Sequence, residues 1–345
     1  MKAVVVHGAR DLRVDEIPVP TTGSAQIGLR VLYGGICGSD LHYYDAGRNG
    51  DYVVQEPLVL GHEVVAVVTG IGAEATTSVA VGDIVAVHPG SPTPPPGGVL
   101  GKGLHIRKGS YLGSASTTPH TQGAFAQTLV VHPDQLRPFA PGVPLRRAAL
   151  AEPLAVALHG VDRAGVDYTG LNVAVLGAGP IGCLAVAALH RRGAASITAI
   201  DLRAEPLATA RALGATSTVH LGGGETAADS AFDVVIEASG SPRALGSAIT
   251  AVRAGGTIVQ LGILPAGDLA IALGPIVAKE IALHGSQRFD VELDEAVRMI
   301  AETPALDGVV THVFDLDDAV EAFTTAMDGA SLKVLLQISP EDAAG

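Results

Sequence analysis

The stretch VAVLGAGPIGCL, residues 173–184, decides how the rest of the chain is read. A short apolar run, Val173 to Leu176, leads into Gly177, Gly179 and Gly182, and an alanine- and leucine-rich segment follows. Strand, tight turn and helix in that order give each glycine a task. Gly177 permits the turn, Gly179 lets the backbone approach a pyrophosphate, and Gly182 allows close helix–strand packing, with the helix N-terminus facing the phosphates. Asp201 ends the next apolar run, SITAID, nineteen residues after Gly182 (201 − 182), where a carboxylate would hold a ribose diol. Such a carboxylate repels a 2′-phosphate and favours NAD, while Arg203, two residues on, leaves NADP open. Cys183, just inside the helix, reads as a small packing residue.

Outward from this motif the chain has two grammars. From about residue 145, strands alternate with helices: NVAVLGAG, PIGCLAVAALHRRG, SITAID, RAEPLATARALG, FDVVIEASG, PRALGSAITAVRAGG and TIVQLGI. That alternation predicts a doubly wound α/β domain, a parallel sheet with helices on both faces. Residues 1–140 read differently. KAVVV, AQIGLRVLY, EVVAVVTGIG and DIVAV are β-branched runs cut by Gly, Pro or Asp, which predicts an antiparallel, barrel-like β domain. The tail adds an amphipathic helix, DLDDAVEAFTTAMDG, and a closing strand, LKVLLQI, so the cofactor domain interrupts a β domain that the C-terminus completes.

Composition narrows the function. At 345 residues the chain suits two domains. Hydrophobic residues make up 48% and charged residues 17%, which supplies burial and excludes a disordered chain. A net charge of −13 repels phosphate backbones, so no nucleic-acid partner is expected. Two cysteines, Cys37 and Cys183, cannot build a disulfide framework and point to a reducing compartment. The opening MKAVVV reads as a strand rather than a signal peptide, and the apolar stretch 258–278 is broken by Gln260, Pro265, Gly267 and Asp268, so no membrane span is expected. The expectation is a soluble cytoplasmic protein.

The chemistry concentrates in three short motifs. GGICGSDLHYY, residues 34–44, reads as a glycine-rich loop around one thiol, Cys37. LGHEVVAV supplies His62 and Glu63, and AEPLAVALHG supplies Glu152. Thiolate, imidazole and carboxylate form a zinc ligand set, and three protein ligands with an open position make a catalytic site.

In chain order, GGICGSDLHYY, VLGHEV, AEPLAVALHG, GAGPIGCL and KEIALHGSQRF resemble the zinc-dependent medium-chain dehydrogenase/reductase family, and within it the polyol branch of sorbitol and L-idonate 5-dehydrogenases. The resemblance implies a GroES-like catalytic domain over residues 1–153, a Rossmann NAD(P)-binding domain over 154–284, and completion of the catalytic domain by 285–345. It implies one catalytic zinc per chain, NAD with NADP open, a small polyol or sugar-acid substrate, and a homodimer or homotetramer. Carried over by motif, Cys37, His62 and Glu63 are zinc ligands, and Glu152 approaches the metal directly or through its water. Asp40 orients the zinc histidine. Ser39 takes the alcohol proton, and a cofactor ribose passes it to His42.

The same resemblance assigns substrate and cofactor contacts. Tyr43 and Arg288 contact substrate hydroxyls. Phe289 stands where sorbitol dehydrogenases commonly carry tyrosine, which removes a hydrogen-bond donor and favours a different polyol or a sugar acid. Gly177, Gly179, Pro180, Ile181, Gly182, Leu261, Gly262 and Ile263 match dinucleotide contacts. Pro206 replaces an arginine near the adenosine ribose, a loss for which Arg203 compensates. The implied reaction is reversible oxidation of a secondary alcohol, with zinc lowering the hydroxyl pKa and hydride passing to the nicotinamide. The rival readings are an NADPH-dependent reductase of small carbonyl compounds and a non-catalytic dinucleotide-binding protein.

Many members of this family carry a second, four-cysteine zinc in a lobe that corresponds to residues 88–122. That interval contains no cysteine here, only His88, His105 and His120 at wide spacing, so one zinc per chain is expected. The three histidines read as exposed loop residues. SPTPPPGG reads as a stiff polyproline-like segment followed by a flexible turn, in a loop expected to be mobile.

Overall fold

The structure, a computed structural model, describes residues 1–91 and 110–341. His105 and the SPTPPPGG segment from residue 92 onward, with its expected mobility, lie outside the described residues.

The chain divides into two compact units, Met1–Glu152 with Leu293–Gly345, and Pro153–Glu292. In the second unit, six parallel strands lie in the order 3-2-1-4-5-6 when numbered along the chain. This is the doubly wound Rossmann arrangement, in which the strand order reverses beside the first strand and ligands bind at the carboxyl ends. The first strand, Asn172–Leu176, carries the glycine fingerprint. Gly177 has φ of +89°, and a Cβ there would crowd Ser239. Gly179 caps the helix Pro180–Arg191, with Pro180 pre-set for the first turn. A Cβ on Gly182 would overlap the Gly177 carbonyl oxygen, which is the close helix–strand packing expected of the third glycine. Apolar side chains of the sheet and of helix Pro242–Ala251 close the core: Ala174, Ile200, Val235, Leu245, Ile249 and Ile258 are all buried. The unit runs past strand Ala282–Gly285 to Glu292, so the chain returns to the catalytic unit at Leu293 rather than at 285.

The catalytic unit is built on a largely antiparallel seven-stranded sheet and a smaller three-stranded one. Strand Ile27–Gly35 is central. On one side it pairs antiparallel with Glu63–Ile71, Gly35 opposite Glu63. On the other it pairs antiparallel with the C-terminal strand Lys333–Gln337, Leu335 opposite Gly35. Extending these registers brings Cys37, His62 and Lys333 to one end of the sheet. The tail therefore completes this unit through a central strand.

GGICGSDLHYY is not a loop throughout. Gly38–Ala46 is a helix that starts after Cys37 and ends at Gly47 with φ of +64°. Its polar and aromatic positions offer no apolar period, which is why the sequence reading missed it. The start signal was present: Asp40 Oδ2 accepts from the Cys37 N–H at 3.0 Å, as an acidic third residue does in a capping box.

The histidines of the 88–122 interval also differ from expectation. His88 and His120 are buried. The Nε2 of His120 accepts from the Gln55 N–H at 3.0 Å, so its Nδ1 carries the proton and donates to the Thr117 carbonyl at 2.9 Å. His88 Nδ1 accepts from the Gly90 N–H at 3.0 Å. Backbone groups thus partner both buried rings.

The fingerprint glycines are separable by substitution. Gly182→Ala forces a backbone clash and should destabilise the protein by on the order of 1–3 kcal/mol in urea denaturation. Gly179 has open space beside it, so Gly179→Ala should fold with wild-type stability and lose dinucleotide affinity in a titration.

Candidate metal centre and dinucleotide site

Cys37 follows the central strand by two residues, Glu63 begins the neighbouring strand, and His62 immediately precedes it. One ligand atom from each lies within 4.8 Å of the others. Among the described residues, this is the one group of three or more His, Cys, Asp or Glu side chains so gathered. Two glycines make the approach possible. A Cβ on Gly35 would overlap Glu63 Oε2, and a Cβ on Gly61, at φ of +94°, would overlap the Phe125 ring. Sulfur, imidazole and carboxylate donors in this grouping fit a zinc ion, with Cys37 and His62 as the strong ligands.

Asp40 stands where a residue that orients the histidine should. It is fully buried, its Oδ1 accepts from the Gly61 N–H at 3.1 Å, and the same oxygen lies 3.8 Å from His62 Nδ1. The carboxylate thus ties the Cys37 segment to the His62 segment and lies beside the His62 imidazole.

Glu63 has a partner that the sequence reading did not foresee. Lys333, 3% exposed, donates to both its carboxylate oxygens at 2.8 and 2.6 Å and to the Ile36 carbonyl at 3.1 Å. Burial pulls the Lys333 pKa down, but the charges of Glu63 and Cys37 outweigh it and raise it overall. A lysine opening an apolar strand gives no sign of this role; only the register across Gly35 does.

Glu152 lies outside the compact group of three. It is buried at the start of helix Ala151–Asp162 and accepts from the Tyr111 hydroxyl at 2.8 Å. Pro153 fits here because the first-turn N–H groups have no helical acceptor. Tyr111, whose ring centroid is 5.7 Å from that of His62, is a second residue the sequence reading missed.

Tyr43, the expected substrate contact, is buried. Its ring is 2% exposed within the core of the unit, and its hydroxyl accepts from the Ala115 N–H at 3.0 Å, so it packs and holds the 114–116 turn. Ser39 is half-buried and His42 exposed, three residues apart on one face of helix Gly38–Ala46. In the Rossmann unit Arg288 has φ of +55° and Phe289 is buried.

The dinucleotide fingerprint is held by hydrogen bonds to Asp201. Its Oδ2 accepts from the Ala178 N–H at 2.7 Å and its Oδ1 from the Arg203 N–H at 2.9 Å, which fixes the carboxylate at the end of the second strand. The Arg203 guanidinium lies 4.0 Å from it. Gly179 leaves an open cradle beside the helix N-terminus, which fits a pyrophosphate. Cys183 is buried with its thiol against the Ala178 carbonyl, and burial above all pushes its pKa to about 12.

The fold and the site define a dehydrogenase with a metal-binding unit and a dinucleotide-binding unit. Residues 23–141 match the alcohol dehydrogenase GroES-like domain, and residues 180–302 match the zinc-binding dehydrogenase family. Sorbitol dehydrogenase of Gallus gallus is 34% identical, over 99% of this chain and 97% of its own length. The crystal structure of L-idonate 5-dehydrogenase from Escherichia coli superposes with a TM-score of 0.88 at 31% identity, covering 97% of each chain. A zinc-binding dehydrogenase from Sinorhizobium meliloti bound to NADP superposes with a TM-score of 0.84 at 27% identity, covering 97% of this chain and 98% of its own. The chain belongs to the zinc-dependent medium-chain dehydrogenase/reductase family, on its polyol branch. Among the described residues no helix is long and apolar enough to cross a membrane.

Two outcomes follow from the electrostatics. In the metal-free site, burial lowers the His62 pKa, but Asp40 and Cys37 outweigh it and hold it at about 10. Burial above all raises Glu152 to about 7, with His62 opposing. Zinc must therefore displace the His62 proton at any pH below about 10, and that of Glu152 increasingly below 7. Zinc affinity should weaken as pH falls, and the protons released on binding should increase from pH 8 to pH 6, as calorimetry in buffers of different ionisation enthalpy would record. Separately, Lys333→Met leaves Glu63 buried without its cation and should destabilise the metal-free protein by on the order of 3–5 kcal/mol. Adding Glu63→Gln should recover much of that loss in the same urea denaturation experiment.

Proposed function

We propose that this protein catalyses the reversible oxidation of a secondary alcohol in a polyol or sugar acid to the ketone, with NAD as the preferred acceptor. The observation that carries the reading is the gathering of Cys37, His62 and Glu63 within 4.8 Å in a buried, anionic setting. The names of its relatives, sorbitol dehydrogenase and L-idonate 5-dehydrogenase, supply the substrate class. Cys37, His62 and Glu63 would hold one zinc per chain, with Glu152 approaching the metal directly or through its water and Lys333 pairing with Glu63. When bound, zinc lowers the pKa of an alcohol oxygen and the nicotinamide accepts the hydride. Ser39 takes the alcohol proton as its own passes to a cofactor ribose, which hands it to His42, exposed on the same helix face. Arg288 engages a substrate hydroxyl beside Phe289, whose ring offers no donor where a tyrosine would. Tyr43 is left out of the substrate contacts because of its packing.

In the cofactor domain, Gly177, Gly179, Pro180, Ile181 and Gly182 line the pyrophosphate. Leu261, Gly262 and Ile263 serve the nicotinamide half. Asp201 holds the adenosine ribose and disfavours a 2′-phosphate, with Arg203 as its neighbour. The NADP bound by the Sinorhizobium meliloti relative makes the cofactor test necessary. A cytoplasmic homo-oligomer is part of the proposal. Two free cysteines suit a reducing compartment. The edge strand Ala282–Gly285 has one paired side and leaves Leu283 exposed, a surface a second copy could cover.

Protein purified without chelators should contain close to one zinc per chain and should turn over L-idonate, sorbitol, xylitol or a related polyol faster with NAD than with NADP. Cys37→Ser should lose the zinc and the turnover but keep NAD binding. Asp201→Ser should narrow the ratio of the two cofactors' specificity constants. Turnover of Cys37→Ser at the wild-type rate without zinc would sink the metal assignment, and a wild-type preference for NADP would show that Arg203 prevails over Asp201.

A further inference from the structure

One buried carboxylate has no part in the chemistry above. Glu237, 0% exposed, ends the fourth strand of the Rossmann sheet, Phe232–Glu237. A buried carboxylate is costly unless charge or hydrogen bonds compensate it. Among the described residues no cation pairs with it; four donors meet it instead. Oε1 accepts from the Ser239 N–H at 2.8 Å and from the Ser239 hydroxyl. Oε2 accepts from the Gly240 N–H at 3.1 Å and from the Gln260 side-chain amide.

These donors belong to two separate pieces of chain. Ser239 and Gly240 lie in the turn after the fourth strand, and Gln260 ends the fifth strand, directly opposite Glu237 in the parallel register. The Gln260 amide nitrogen also donates to the Gly262 carbonyl at 2.7 Å. Both neighbours of that nitrogen are acceptors, so the amide can take only one orientation.

The loops around this hub touch without room for a side chain. A Cβ on Gly262 would overlap the Gly240 nitrogen, and one on Gly240, at φ of +69°, would overlap the Ile263 carbonyl oxygen. A Cβ on Gly177 would come within 2.8 Å of Ser239. The phosphate turn, the 238–241 turn and the 261–263 segment are thus stacked on one another, with the Glu237 carboxylate bonded to the 238–241 turn directly and linked to Gly262 through the Gln260 amide.

The sheet order says which end of a dinucleotide this hub serves. The first strand separates two mononucleotide-binding halves. Asp201, the candidate ribose carboxylate, ends the second strand on one side, and Glu237 and Gln260 end the fourth and fifth on the other. We propose that Glu237 is a positioning residue that holds the 238–241 and 261–263 loops in place for the nicotinamide half of the bound cofactor. The proposal rests on the reading of this unit as an NAD(P) site.

Glu237→Gln tests it, because an amide nitrogen must then face at least one of the four donors. Kd would be measured for NADH by fluorescence and for ADP-ribose, which lacks the nicotinamide, by calorimetry, together with zinc content and thermal midpoint. NADH affinity should fall by about tenfold or more, the loss expected when buried donors go unmatched, while ADP-ribose affinity stays within about twofold and zinc content is unchanged. Ser239→Ala removes one donor without adding a mismatch and should fold. It should weaken NADH in the same direction by about threefold and decides the matter if the glutamine variant does not fold. Equal losses for both ligands, or unchanged NADH affinity in the variant that folds, would overturn the proposal. Failure of the wild-type protein to bind ADP-ribose would overturn the NAD(P) reading beneath it.

Discussion

The Glu63–Lys333 ion pair organises the catalytic unit. The two residues lie on the strands flanking Ile27–Gly35, and their side chains meet over Gly35, which has none. The pair joins the chain's N-terminal third to its last strand. Two buried charges at this separation are stable only together, because each alone would carry its full desolvation penalty. The bond therefore fixes the register of three strands and, through that register, brings Cys37 and His62 to one end of the sheet.

Charge balance at that end follows from the same contact. Cys37, Glu63, Glu152 and Asp40 could place four negative groups in one buried region, against the ammonium of Lys333 and the protonated imidazole of His62 in the metal-free site. Lys333 answers Glu63 on both oxygens, Tyr111 answers Glu152, and backbone N–H groups answer Asp40. Cys37 and His62 are left with each other and with Asp40. A divalent cation completes the balance, which is why the proton load on His62 and Glu152 must leave when it binds.

The Rossmann unit solves a different problem, how to bring three backbone segments and a ligand to the carboxyl end of one sheet. It does so by omitting side chains. Gly177, Gly182, Gly240 and Gly262 each stand where a Cβ would strike backbone or a neighbouring turn. With no side chains to interlock, the turns depend on hydrogen bonds for their positions, and Asp201 and Glu237 supply acceptors on the two sides of the first strand.

The sequence by itself determined what is local. The alternation of strands and helices and the spacing of Gly177, Gly179 and Gly182 depend on neighbours a few residues apart, so the Rossmann unit and its fingerprint were legible. The residue types at 37, 62, 63 and 152 named the metal chemistry for the same reason. Tertiary structure decided what depends on register and burial. The helix after Cys37 was hidden because its polar face has no apolar period. His88 and His120 read as surface residues but are held inside by backbone partners. Tyr43 reads as a substrate contact in the sequence, and the fold buries its ring and sets its hydroxyl against the Ala115 N–H. Lys333, Tyr111 and Glu237 were invisible in the sequence, since a charged or polar residue gains its role only from the group that the fold sets against it, and that group lies tens to hundreds of positions away or on the next strand.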